Sequence, residues 1–175
     1  MSSTEPRTIA ELRASGHQRE TVKQELRRNL LARLRDRRPV FPGIVGYDDT
    51  VIPQVANAVI SGHDLIFLGE RGQAKSRLMR SMIELLDAEV PVMAGCEIND
   101  HPYDPICRHC RDEVAAHGEE AALDWLPRDR RYGEKLATPD TSIADLIGEV
   151  DPIKVAEGRY LADELTIHYG LVPRT

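Results

Sequence analysis

Gly69-Glu70-Arg71-Gly72-Gln73-Ala74-Lys75-Ser76 holds the residues of this chain best suited to chemistry, and that chemistry is the binding of a phosphate. Backbone N–H groups of such a turn, and of the helix that follows it, point at an anion. Gly69 and Gly72 permit the tight turn and the close backbone approach. Lys75 is placed to reach the β- and γ-phosphates of a nucleotide, and the Ser76 hydroxyl to ligate Mg²⁺. The amides of Arg71, Gln73 and Ala74 complete the cradle. The strict pattern has glycine where Ala74 stands; one added methyl should leave the loop intact. An ordinary glycine-bearing turn with a solvated lysine would read the same, so the flanking elements decide.

Cysteine supplies the second set of candidate ligands. Cys96 precedes Cys107-Arg108-His109-Cys110, with His101 and His117 nearby. Cys-x-x-Cys spacing suits Zn²⁺; Cys96 could give a third thiolate, and His101 or His117 the fourth ligand. Only one such pair is present, and Cys107, Cys110, Val114 and His117 also recur at helical spacing, so the thiols could instead face a core.

The elements around the loop fit its task. Leu65, Ile66, Phe67 and Leu68 form a strand-length apolar run before it, and Leu78, Met79, Met82, Ile83 and Leu86 give a helix period after it. Upstream, Thr8 to Ser15 predicts a short helix. Thr21 to about Arg37 predicts a longer one, with Val22, Leu26, Leu30 and Leu34 along one face and Lys/Arg opposite. Pro39, Pro42 and Gly43 then break the chain. Val51 to Ile60 predicts a helix with Val51, Ile52, Val55 and Val59 inward, and Val90 to Met93 a second strand that Pro91 assigns to a sheet edge. Glu119 to Gly133 reads as a surface loop and short helix anchored by Trp125.

The 175 residues are 41% apolar and 30% charged, as in a soluble globular protein. Aromatics at 5% argue against a stacking platform for single-stranded nucleic acid. No apolar run is long enough for a membrane span, and the first residues lack a hydrophobic signal segment. An odd cysteine count of three argues against a disulfide framework, so the expected compartment is cytoplasmic. Net charge is +5 over residues 1–40 and −11 over the rest. The basic arm could meet nucleic acid or anionic lipid, but its leucine-rich stripe without Trp or Phe favours packing.

With these residues in view, a family resemblance emerges. Ile44-Val45-Gly46, a helix, a strand, the Gly69–Ser76 loop and a helix resemble the start of an AAA+ ATPase module. The Ala74-Lys75-Ser76 ending resembles the branch holding the small ATPase subunit of magnesium chelatase, MoxR proteins and the MCM helicases. Lys135 to Asp140, Ile143 to Asp151 and Gly170 to Thr175 are similar to segments of the chelatase subunit. The resemblance covers about Phe41 to Thr175. It implies an α/β fold: an incomplete P-loop NTPase core of AAA+ type, spanning residues 39–175 with a cysteine-containing insertion at about 95–133. A basic helical extension, residues 1–38, precedes it.

The resemblance also implies ATP and Mg²⁺ as cofactors, and Ile44 and Val45 as walls of the adenine pocket. It implies a homo-oligomeric ring and a partner remodelled by ATP hydrolysis, either a large chelatase-type or von Willebrand A-type subunit or a MoxR-like client. An ATPase needs an acidic pair at a strand end to hold Mg²⁺ and position water. The nearest candidates, Asp163 and Glu164, read as surface acids, and no sensor or arginine-finger segment follows. The expectation is therefore an N-terminal piece of a longer protein that binds ATP without hydrolysing it. Two other readings stay open: a zinc-stabilised interaction module with a vestigial loop, and a DNA-associated AAA+ ATPase of MCM or transcription-activator type.

Overall fold

A computed structural model describes residues 5–156 and 164–175. The chain divides into two compact units: residues 20–89 form one, and residues 1–19 with 90–175 form the other.

The unit of residues 20–89 is mainly helical. Helix α2 (Val22–Arg35) starts at Thr21, whose side chain and that of Gln24 form a reciprocal capping box. Helix α3 (Val51–Ser61) ends at Gly62 in the left-handed region. Helix α4 (Lys75–Ser81) runs on into a 3-10 turn, Met82–Leu85. Their apolar faces meet in one core: Leu30, Phe41, Ile44, Val55, Val59, Leu78 and Leu85 are buried. Residues of the basic helix are spent on this packing. Arg28 pairs with Asp87 at 2.6 Å, and the Asn29 amide donates to the Leu85 carbonyl at 2.9 Å. Glu25, buried, accepts the Asp87 N–H at 2.7 Å. Helix α2 therefore shares a core with the loop-bearing helix, and the boundary expected near residue 38 is not where the chain divides.

The strand expected at Leu65–Leu68 is not part of a sheet. Its side chains do alternate: Leu65 and Phe67 pack on the core, while Ile66 and Leu68 are exposed. What it lacks is a ladder, since both sheets among the described residues are built from other segments.

The second unit begins with α1 (Ile9–Ala14), capped by Thr8. Strand β1 (Glu89–Met93) pairs with β2 (Leu123–Pro127). The stretch read as surface loop and short helix thus supplies a strand. The N-terminal residues extend this sheet: Thr8 bridges Ala122, the Leu123 N–H donates to the Arg7 carbonyl at 2.9 Å, and the Trp125 indole N–H to the Pro6 carbonyl at 2.9 Å. Helix α5 (Arg108–His117) covers one side through Cys110, packed with Ile9, Leu12, Met93 and Leu123. The cysteine stretch is thus core to this unit.

Further along, α6 (Ile143–Ile147), capped by Ser142, leads into β3 (Gly148–Val150). The short helix α7 (Pro152–Ala156) follows, and β4 (Ile167–Tyr169) pairs antiparallel with β3. The Leu171 and Val172 amides donate to the carbonyls of Asp145 and Leu146, at 3.0 and 2.8 Å. Two stretches quoted for the family resemblance therefore pack directly on each other.

Candidate functional site

The loop is shaped at three backbone positions. Gly69 has φ 149°, Gly72 has φ 82°, and Ala74 sits in the left-handed region at φ 54°, ψ 17°. Gly69 is favoured there by its dihedral; a Cβ would lie 2.2 Å from Gln73 Oε1, the end of an exposed side chain that can turn aside. Ala74 shows why the strict pattern has glycine: an L-residue holds this conformation at a cost of about 1–2 kcal/mol.

Lys75 opens α4 and its ammonium turns back over the loop, donating to the carbonyls of Gly69, at 2.7 Å, and Glu70. Ser76 lies exposed on the first turn of α4, and Arg71 and Gln73 are exposed on the bend. The Tyr47 hydroxyl reaches the Gln73 carbonyl at 3.4 Å. Beside the loop lies a cleft of about 70 Å³, walled by Ile44, Tyr47, Val51, Phe67 and Leu78. Ligand pockets run to roughly 300 Å³ and above, so this cleft would cover only part of a ligand. Of the two residues expected to wall a base pocket, Ile44 lines the cleft; Val45 is 85% exposed and does not.

The cysteines converge in the other unit. Ligand atoms of Cys96, Asp100, Cys107 and Cys110 all lie within 4.8 Å of one another. The expected fourth ligand was a histidine, and the structure puts Asp100 there. His101 stacks on His17 at 5.8 Å, and its Nδ1 accepts the Tyr103 N–H at 3.1 Å. His117 is exposed and lies 3.7 Å from the Glu113 carboxylate. No composition signal singled out Asp100 from its neighbours Glu97 and Asp104; its place depends on how the loop between Met93 and Cys107 folds.

Burial governs the electrostatics here. It pushes the Cys107 thiol up to about 11, and with Cys107 and Cys96 beside it the Cys110 thiol rises further. Burial, aided by His17 and Arg19, lowers His101 to about 4. Of the acidic pair weighed from sequence, Asp163 lies outside the described residues. Glu164 accepts the Arg108 N–H at 2.8 Å and lies 3.4 Å from the Arg111 guanidinium, an arrangement that serves the start of α5.

A glycine-bearing bend with a lysine folded over it, on a scaffold of mixed helix and strand, defines a candidate anion-binding loop. The chain is similar to magnesium-chelatase proteins. It is 36% identical over 93 residues to "Magnesium-chelatase subunit ChlI-2, chloroplastic" of Arabidopsis thaliana, a match covering 49% of this chain and 21% of that protein. It is 37% identical over 73 residues to "Magnesium-chelatase subunit ChlI" of Nephroselmis olivacea, 39% of this chain and 20% of that one. For the corresponding chloroplastic subunit of Glycine max the figures are 36% over 80 residues, 43% and 18%. The matched region spans about a fifth of the length of these curated relatives. The chelatase resemblance drawn from the residues thus holds for part of the chain. No protein-family model and no solved structure matches it. No helix among the described residues is long and apolar enough to cross a membrane.

Proposed function

We propose that this chain is the nucleotide-binding portion of a magnesium-chelatase-like AAA+ ATPase subunit, with residues Gly69 to Ser76 as its phosphate-binding loop. The observation that carries the reading is the Lys75 ammonium, held by two loop carbonyls over a bend whose two glycines both take positive φ. The residues fit ATP with Mg²⁺. A cation already faces the loop, the amides of Arg71 to Ser76 follow one another around the bend, and the Ser76 hydroxyl is open on the adjoining helical turn. Lys75 would exchange its carbonyl partners for phosphate oxygens, Ser76 would ligate the metal, and Ile44 would contact one edge of the base. Bound Mg²⁺ would neutralise phosphate charge and fix the geometry of the triphosphate. No residue of this chain is assigned to hydrolysis.

The similarity to ChlI proteins supports the wider setting: a ring of such subunits that couples ATP hydrolysis to remodelling of a larger partner subunit, in a chelatase or a MoxR-like complex. Thermal unfolding tests the loop itself. Millimolar ADP or ATP with Mg²⁺ should raise the melting temperature, by the equivalent of about 2.7 kcal/mol at a hundredfold excess over Kd. Lys75→Ala should remove that rise while leaving the nucleotide-free melting temperature nearly unchanged. A folded chain with no shift at millimolar nucleotide would contradict the assignment.

A further inference from the structure

We propose that Cys96, Asp100, Cys107 and Cys110 form a structural zinc site, with the carboxylate of Asp100 as the fourth ligand. All four residues belong to the unit of residues 1–19 and 90–175, and metal uptake is expected with or without nucleotide.

Distance is the first ground. Four ligands around a tetrahedral Zn²⁺ with Zn–S of about 2.3 Å leave the sulfurs about 3.8 Å apart. The Cys96 and Cys107 sulfurs are 3.8 Å apart, and one ligand atom from each of the four residues lies within 4.8 Å of the other three. Packed apolar thiols need no such convergence of three sulfurs and an oxygen.

Burial of charge is the second. Asp100 is only 4% exposed, and among the described residues no basic side chain pairs with it. Buried carboxylates are otherwise found paired or on a metal. Its Oδ2 is oriented by the N–H groups of Ile106, at 2.9 Å, and Cys107, at 2.8 Å. Such supporting bonds fix a ligand's direction in metal sites.

The sulfurs are supported in the same way. The Asp100 N–H donates to Cys96 Sγ at 3.2 Å, and the Cys110 N–H to Cys107 Sγ at 3.4 Å. Both bonds fix the direction in which the sulfur points, as supporting bonds do in metal sites. Cys107 also lines a cleft of about 240 Å³ with Gly95, His109 and Glu164. The donor set selects the metal: thiolates favour Zn²⁺ over Mg²⁺ or Ca²⁺, and three cysteines fall short of the four that iron–sulfur clusters take. The ion would tie the Gly95–Ile106 loop and the start of α5 to the end of β1, a structural role.

The test uses the full chain, reduced and reconstituted with Zn²⁺ and, separately, Co²⁺. We expect one zinc per chain by elemental analysis. The cobalt form should show intense tetrahedral visible bands and sulfur-to-metal charge transfer. Asp100→Ala should weaken Co²⁺ binding more than tenfold and alter the visible bands, while His101→Ala leaves both unchanged. Cys107→Ser should lose the metal; should that variant fail to fold, the cobalt spectrum of the unaltered chain still decides. A folded, fully reduced chain that takes up neither ion overturns the proposal, as does a Cys96–Cys107 disulfide forming in place of metal uptake. Cobalt bands lost in His101→Ala but kept in Asp100→Ala overturn the choice of Asp100.

Discussion

Ala74 carries a measurable strain at the point where the loop becomes a helix. Its left-handed backbone is one that glycine adopts freely and alanine does not. Ala74→Gly should therefore stabilise the chain by about 1 kcal/mol, read as a rise in the denaturant midpoint without change in slope. A lower midpoint would mean that the methyl group makes packing contacts worth more than the strain. His101 makes a second prediction at this scale. Its Nδ1 accepts a backbone N–H, so the neutral ring carries its proton on Nε2, which is buried without a partner among the described residues. Its folded pKa of about 4 lies below the ordinary 6.5, so the unfolded chain binds the proton first as pH falls. The stability this imidazole contributes is fully present above pH 6.5 and is lost progressively towards pH 4. His101→Gln should flatten that part of the stability–pH curve; an unchanged slope would contradict it.

At the scale of elements, the sequence was legible wherever the cause is local. The helices α1, α2 and α3 lie within a residue or two of their expected bounds. The run Leu65–Leu68 was legible as an apolar segment and not as a strand, because four apolar residues mark burial while a ladder needs a partner. Strand β2 was hidden for the matching reason. Leu123-Asp124-Trp125-Leu126-Pro127 is short, follows an acidic stretch and ends in proline, and only its pairing with β1 and the Arg7 segment makes it a strand. Asp100 was illegible as a ligand because a loop fold, and no spacing rule, brings it to the cysteines. Gly170 shows close approach acting at an element contact. A Cβ there would lie 2.5 Å from the Leu146 carbonyl carbon and 2.7 Å from the Gly148 nitrogen. Gly170→Ala should cost about 1–3 kcal/mol, with faster amide exchange in β3 and β4 as the readout. Unchanged exchange there would mean that the backbone shifts without loss.

For the whole molecule, the order of the chain and the grouping of its parts differ. Residues 5–19 complete the sheet of β1 and β2, while α2 shares the core of the phosphate-loop helix. The charge asymmetry that set off a basic arm is therefore split between two units, and Arg28 of that arm is committed to Glu20 and Asp87. Nucleotide and metal should act on separate stretches: nucleotide on residues 69–76, metal on the loop between Met93 and Cys107 and the start of α5. Hydrogen exchange of the full chain with and without Mg²⁺-ATP addresses the central claim most directly. The account predicts slowed exchange centred on Gly69 to Ser76, absent in Lys75→Ala. A folded chain whose loop amides exchange at the same rate with and without saturating nucleotide would contradict it.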